Sequence, residues 1–152
     1  MKRKYSLIII GFLAFAFLFY YIGWSFSPGS YGKAETYELN TDEKTLIEII
    51  NAVKSENNLK TNSFADHKNG HWYSIYFEYK DKNLIIHALT RPKNKTTTLL
   101  FSSYKNKTDL GNWTDANEYF WWWKNSKAKK EFETRILNKI EGKIKKRKPN
   151  NV

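Results

Sequence analysis

The chain has 152 residues, with 6 Trp, 10 Tyr and 10 Phe, no Cys and a formal net charge of +11. The absence of cysteine excludes disulfides, thiolate metal sites, a cysteine nucleophile and a lipidated cysteine. Residues 33–123 balance 12 basic against 12 acidic side chains and residues 124–148 hold 11 against 3, so the excess charge sits at the ends, which argues against a uniformly basic nucleic-acid-binding domain.

In chain order, the basic cluster Lys2-Arg3-Lys4 abuts a stretch from Tyr5 to Gly32 without a charged residue. Within it, Leu7–Phe26 is a nearly unbroken apolar run of 20 residues. A bilayer core of about 30 Å needs about 20 helical residues, so residues 5–27 read as a transmembrane anchor in the lipid bilayer. The run is longer than a signal-peptide core and ends in Tyr20, Tyr21 and Trp24, rings suited to the membrane interface. Those features favour a retained anchor over cleavage, for which Gly32-Lys33-Ala34 is a distant candidate site. Beyond the run only Lys33 and Lys44 lie close by, among Glu35, Glu38, Asp42 and Glu43. The positive-inside rule then predicts a cytoplasmic N-terminus (residues 1–4) and an exported C-terminal part, periplasmic in a bacterium.

Pro28-Gly29-Ser30-Tyr31-Gly32 marks a linker over residues 28–34. Residues 35–39 suggest a short strand. Asn40 is the expected N-cap of a helix over 41–57, with Leu46, Ile49, Ile50 and Val53 at the spacing of one buried face. Residues 60–71 are expected as a loop. Residues 72–79 alternate, with Tyr73, Ile75, Phe77 and Tyr79 on one side of a strand. Two further strands follow at 84–90, broken by Arg91-Pro92, and at 96–104, completing an antiparallel meander. Thr114-Asp115 offers a second N-cap, for a helix from about 115 to 146 whose turns past Gly142 are expected to project or fray. The fold class is α+β. A three- to four-stranded antiparallel sheet packs against two helices in the order β-α-β-β-β-α, within a domain at 35–142 followed by a basic tail at 143–152.

Tyr119-Phe120-Trp121-Trp122-Trp123 is the most unusual feature of the exported part. Consecutive helical residues point about 100° apart, so three Trp cannot all face one sheet. The plainer expectation is that two pack on the meander and the third meets a loop or the 41–57 helix. The alternative is an exposed patch that touches a partner protein or the lipid interface. The basic run Lys143, Lys145, Lys146, Arg147 and Lys148 is either a solvated helix end or a contact for anionic lipid or another polyanion. His67 and His71, with Asp66 beside them, flank Asn69-Gly70, a turn signal that argues against a helical zinc pair. His87 reads as a hydrogen-bonded sheet residue. No metal or cofactor is expected.

No phosphate loop, nucleophile elbow or zinc-protease helix occurs, and nothing singles out the carboxylates Glu78 and Asp81. The resulting reading is non-enzymatic. A single-pass anchored protein would present a small domain for partner binding at the membrane surface, in envelope assembly or an immunity-type role. One alternative is anionic-lipid or polyanion binding by the C-terminal helix; a second is a small hydrolase with a carboxylate pair. The protein partner is unspecified, and no nucleic acid is expected.

Overall fold

The computed structural model describes residues 2–25, 31–108 and 111–147. Residues 28–30 of the expected linker, and Lys148 of the basic run, lie outside that set. The chain falls into two units, Met1–Gly32 and Lys33–Val152.

The first unit is helix α1, Lys2–Ser25. Its stretch Tyr5–Ser25, 21 residues, is long and apolar enough to cross a membrane, and its large side chains from Tyr5 to Ile22 are exposed. Apolar residues on every face suit a lipid environment. A signal sequence near a chain's start has the same form.

The second unit is mixed α+β. Strand β1 (Glu35–Leu39) precedes helix α2 (Glu43–Glu56), and strands β2 (His67–Asn69), β3 (Trp72–Tyr79), β4 (Leu84–Lys93), β5 (Thr96–Asn106) and β6 (Thr114–Asp115) follow. Helix α3 (Trp122–Phe132) runs through a π-helical turn, Glu133–Leu137, into α4 (Asn138–Arg147). The antiparallel sheet has the order β1-β5-β4-β3-β2, with β6 also on β5. β1 and β6 share one edge of β5, pairing with residues 97–101 and 103–104 respectively.

The sheet therefore exceeds the expected three to four strands, and the order is β-α-β-β-β-β-β-α. The two extra strands, of three and two residues, are too short to carry a periodic signal. Residues 60–71 hold β2, and Gly70-His71 forms its hairpin turn, with Gly70 at φ +61°. That left-handed backbone suits glycine. β4 continues through Pro92 because residues beyond Thr90 pair only with β5, where a missing N–H leaves the other edge undisturbed.

Helix α2 begins two residues later than expected. Asp42, not Asn40, is the N-cap, its carboxylate accepting from the Thr45 N–H at 2.9 Å. One face of the sheet carries Ile75, Phe77, Tyr79, Ile86, Ala88, Leu99 and Phe101. Against it pack Leu46, Ile49, Ile50 and Val53 of α2, and Phe132, Ile136, Ile140 and Ile144 of the C-terminal helices. Phe132 stacks flat on Phe101, centroids 4.7 Å apart, and Tyr37 stacks on Phe132 at 5.8 Å.

An i+4 stripe drifts about 40° per step on an ideal helix. The wider π turn at 133–137 takes up that drift, so Phe132 through Ile144 keep facing the core. The helix consequently does not project past Gly142. It stays regular to Arg147, and Ile144 is 9% exposed.

Candidate functional site

The expected helix start at Thr114-Asp115 is replaced by a two-residue strand and a turn, because tertiary bonds claim the backbone there. The Ala116 N–H donates to Ser102 O and the Asn117 N–H to Lys33 O, both at 2.9 Å. Ser102 is available because the β4–β5 register shifts at His87/Ala88 and leaves it as the extra residue of a bulge. Asn117 Nδ2 and Lys129 Nζ both donate to one oxygen of Glu35 at 3.0 Å. The segment preceding α3 is thereby tied to β1 and β5.

Asn125, 5% exposed, finishes the mounting. Its side chain accepts the Tyr119 N–H at 3.0 Å and donates to Tyr119 O at 2.8 Å. Trp121 is the N-cap of α3 in extended conformation, and its side chain makes no capping bond. Because Trp121 is extended and Trp122 helical, the rings do not fan out as on a continuous helix. Trp121 and Trp123 stack at 4.9 Å, Trp122 meets Trp123 edge-on at 6.0 Å, and Phe120 abuts Trp121 at 4.9 Å.

All three Trp are exposed, at 43%, 67% and 51%, with Tyr119 beside them at 46%. The expectation that two of them pack on the meander is overturned. The core positions above the meander are filled by Ala128, Phe132 and Ile136, further along the helix. The result is an aromatic ledge on a rigid footing.

The basic run is divided by its helix. Lys143 donates to Glu56 at 2.6 Å and Arg147 to Glu48 at 3.2 Å, both carboxylates on α2. Lys145 and Lys146 face solvent with no ion pair among the described residues. Half of the described positive charge is therefore already matched.

The carboxylates Glu78 and Asp81 do not converge. Glu78 accepts from Lys107 at 2.9 Å, and Asp81 receives a two-pronged contact from Arg135 at 2.6 and 2.7 Å. These cations hold both carboxyls below their ordinary range. Among the described residues no three His, Asp or Glu side chains gather as a metal site.

The second face of the sheet holds a cluster the sequence reading missed. Tyr76 stacks on His87 at 4.8 Å and on His67 at 6.2 Å, Phe64 stacks on Tyr76 at 4.9 Å, and Trp113 meets Phe64 edge-on at 5.7 Å. Lys105 Nζ lies over both Phe64 and Trp113, at 4.8 and 5.1 Å, so a residue of this chain occupies the aromatic box. His87 Nε2 is 3.4 Å from Ser74 Oγ. Burial, and secondarily the neighbouring His67, push His87 down to about 4. The alternation of residues 72–79 hints at Tyr76, but Phe64 and Trp113 arrive from distant loops. The cluster reads as packing around a neutral histidine.

Set beside known proteins, the chain matches no family model, no curated protein and no solved structure.

Proposed function

We propose that the chain is a single-pass membrane-anchored protein whose extracytoplasmic α+β domain binds a protein partner without catalysis, in an assembly or immunity-type role. The observation that carries this is the exposure of Trp121, Trp122 and Trp123 on a clamped segment. Large aromatic side chains left in water forgo the stabilisation that burial supplies, and Trp dominates the energetics of protein interfaces. Rigid mounting lowers the ordering cost of docking. The same mounting favours a shaped protein surface over lipid, which demands no fixed ring geometry. Lys2, Arg3 and Lys4 at the start of α1 support a cytoplasmic N-terminus and an exported domain.

The polyanion alternative is weakened by the pairing of Lys143 and Arg147 with α2. The hydrolase alternative is weakened by the separate cation partners of Glu78 and Asp81.

A photoreactive benzoylphenylalanine in place of Trp122, irradiated in the source cells, tests the reading. The expected result is one discrete protein adduct, absent when the probe replaces Lys130 on the same helix. Lipid adducts alone, or equal labelling from both positions, would remove the partner reading. Resistance of the domain to protease added to intact spheroplasts would remove the exported orientation.

A further inference from the structure

Residues 119–130 hold five aromatic rings and four lysines, with no Asp or Glu among them. Of the four, Lys129 donates to Glu35 at 3.0 Å. Lys124, Lys127 and Lys130 are exposed and have no ion pair among the described residues. The carboxylates that bracket the segment are already matched. Glu118 lies 3.5 Å from Lys33, and Glu131 is engaged by Lys82 at 2.7 Å and by Arg135 at 3.0 Å. The aromatic ledge therefore carries positive charge with no counter-charge of its own.

Two of these lysines belong to the ledge itself. Trp123 and Lys127 stand four apart on α3, neighbours on one helical face. Lys124 Nζ sits 5.8 Å from the centre of the Tyr119 ring. Cations thus border the exposed indoles, an apolar aromatic centre inside a charged rim, which is the anatomy of a protein interface. In such interfaces aromatic anchors hold the complex together, whereas rim charges steer encounter and select the partner.

We infer that the partner of this ledge is an acidic protein surface, an inference that rests on the partner-binding reading above. An apolar recess of the partner receives Trp122, the most exposed ring, and Asp or Glu carboxylates beside that recess meet Lys124 and Lys127. Lys130, further along α3, adds to the attracting field without contact. A second copy of the chain fits badly, because a two-fold contact lays the same lysines against each other. A membrane fits less well too, since the anionic surface potential belongs chiefly to the cytoplasmic leaflet and the reading above puts the domain on the other side.

The test places benzoylphenylalanine at Trp122 of the full chain in the source cells. It compares, at matched expression, the parent, the pair Lys124→Glu with Lys127→Glu, and the pair Lys124→Arg with Lys127→Arg. The expected product is a discrete protein adduct whose crosslinked peptide, sequenced by mass spectrometry, carries Asp or Glu next to the attachment point. Charge reversal should lower its yield at least about tenfold, and the arginine pair should retain it. Both lysines are exposed, so the fold persists, as an unchanged unfolding transition would verify. Undiminished yield after reversal, or attachment to a segment without acidic residues, would overturn the acidic partner while leaving the partner-binding reading in place. An adduct only with a second copy of the chain would do the same. Lipid adducts alone, or no adduct in the parent, would remove both.

Discussion

The Lys54 ammonium donates to Asp66 at 2.5 Å, joining the core helix α2 to the chain that runs along the outer edge of β3. The other oxygen of the same carboxylate accepts the Tyr76 N–H at 2.9 Å, just where β2 stops pairing with β3. Further along, Leu59 O accepts the Glu78 N–H at 2.9 Å. The exposed edge of β3 is thus closed by a side chain and a carbonyl rather than by a longer strand. Both side chains of the pair are largely buried, at 7% and 18% exposure. Asp66→Ala strands the ammonium and one backbone donor, and should cost about 2–4 kcal/mol in urea unfolding of the full chain. A loss below about 1 kcal/mol would mean water replaces the carboxylate.

Stability should fall on acidification from pH 7, before the carboxylates that the fold holds low contribute. His87 has a folded value of about 4 against an ordinary 6.5. Between those values the unfolded chain takes up a proton that the folded chain refuses, so unfolding becomes easier as pH drops. The slope is at most about 1.4 kcal/mol per pH unit. Glu38, Asp42, Glu78 and Asp81, all held low in the fold, lose their contribution only as pH passes below their ordinary 4.5 or 3.8. Asp115, raised by burial, works in the opposite direction, so denaturant midpoints from pH 7 to pH 5 report the histidine through the difference between the parent chain and a His87 variant. His87→Phe should flatten that part of the curve; an unchanged slope would assign it elsewhere.

Trp121→Ser, Trp122→Ser and Trp123→Ser combined should change unfolding free energy by no more than about 1 kcal/mol, since exposed positions carry little stability. Buried Trp would cost about 3–5 kcal/mol each. Chemical denaturation followed by circular dichroism distinguishes the two.

Phe132→Ala removes a ring that is 0% exposed and lies between Phe101 and Tyr37. The expected cost is about 3–5 kcal/mol, read as a shift of the denaturation midpoint. Phe132→Leu, which fills part of the space, should lose roughly half as much.

Much of this architecture could be read from residue order. The alternation of Tyr73, Ile75, Phe77 and Tyr79 defines a half-buried strand, and Leu46 through Val53 define the buried face of α2. Both are local signals repeated over several residues. What escaped was decided by contacts distant in sequence. Ala116 and Asn117 are held in a turn instead of a helix by Ser102 and Lys33. Pro92 is tolerated because its outer neighbour is missing. The tail is captured by Glu48 and Glu56, a whole domain away in sequence. The ledge was visible as a Trp run, but its exposure depends on Ala128, Phe132 and Ile136 taking the core positions first.

Lys33 is the first residue of the second unit, and its carbonyl is bonded directly to Asn117. Glu35, two residues on, grips Asn117 and Lys129. Mechanical tension arriving along the chain from α1 would enter at this junction, before the central strands bear any load. The first elements to feel a pull would be those that hold Tyr119 and the three indoles in place.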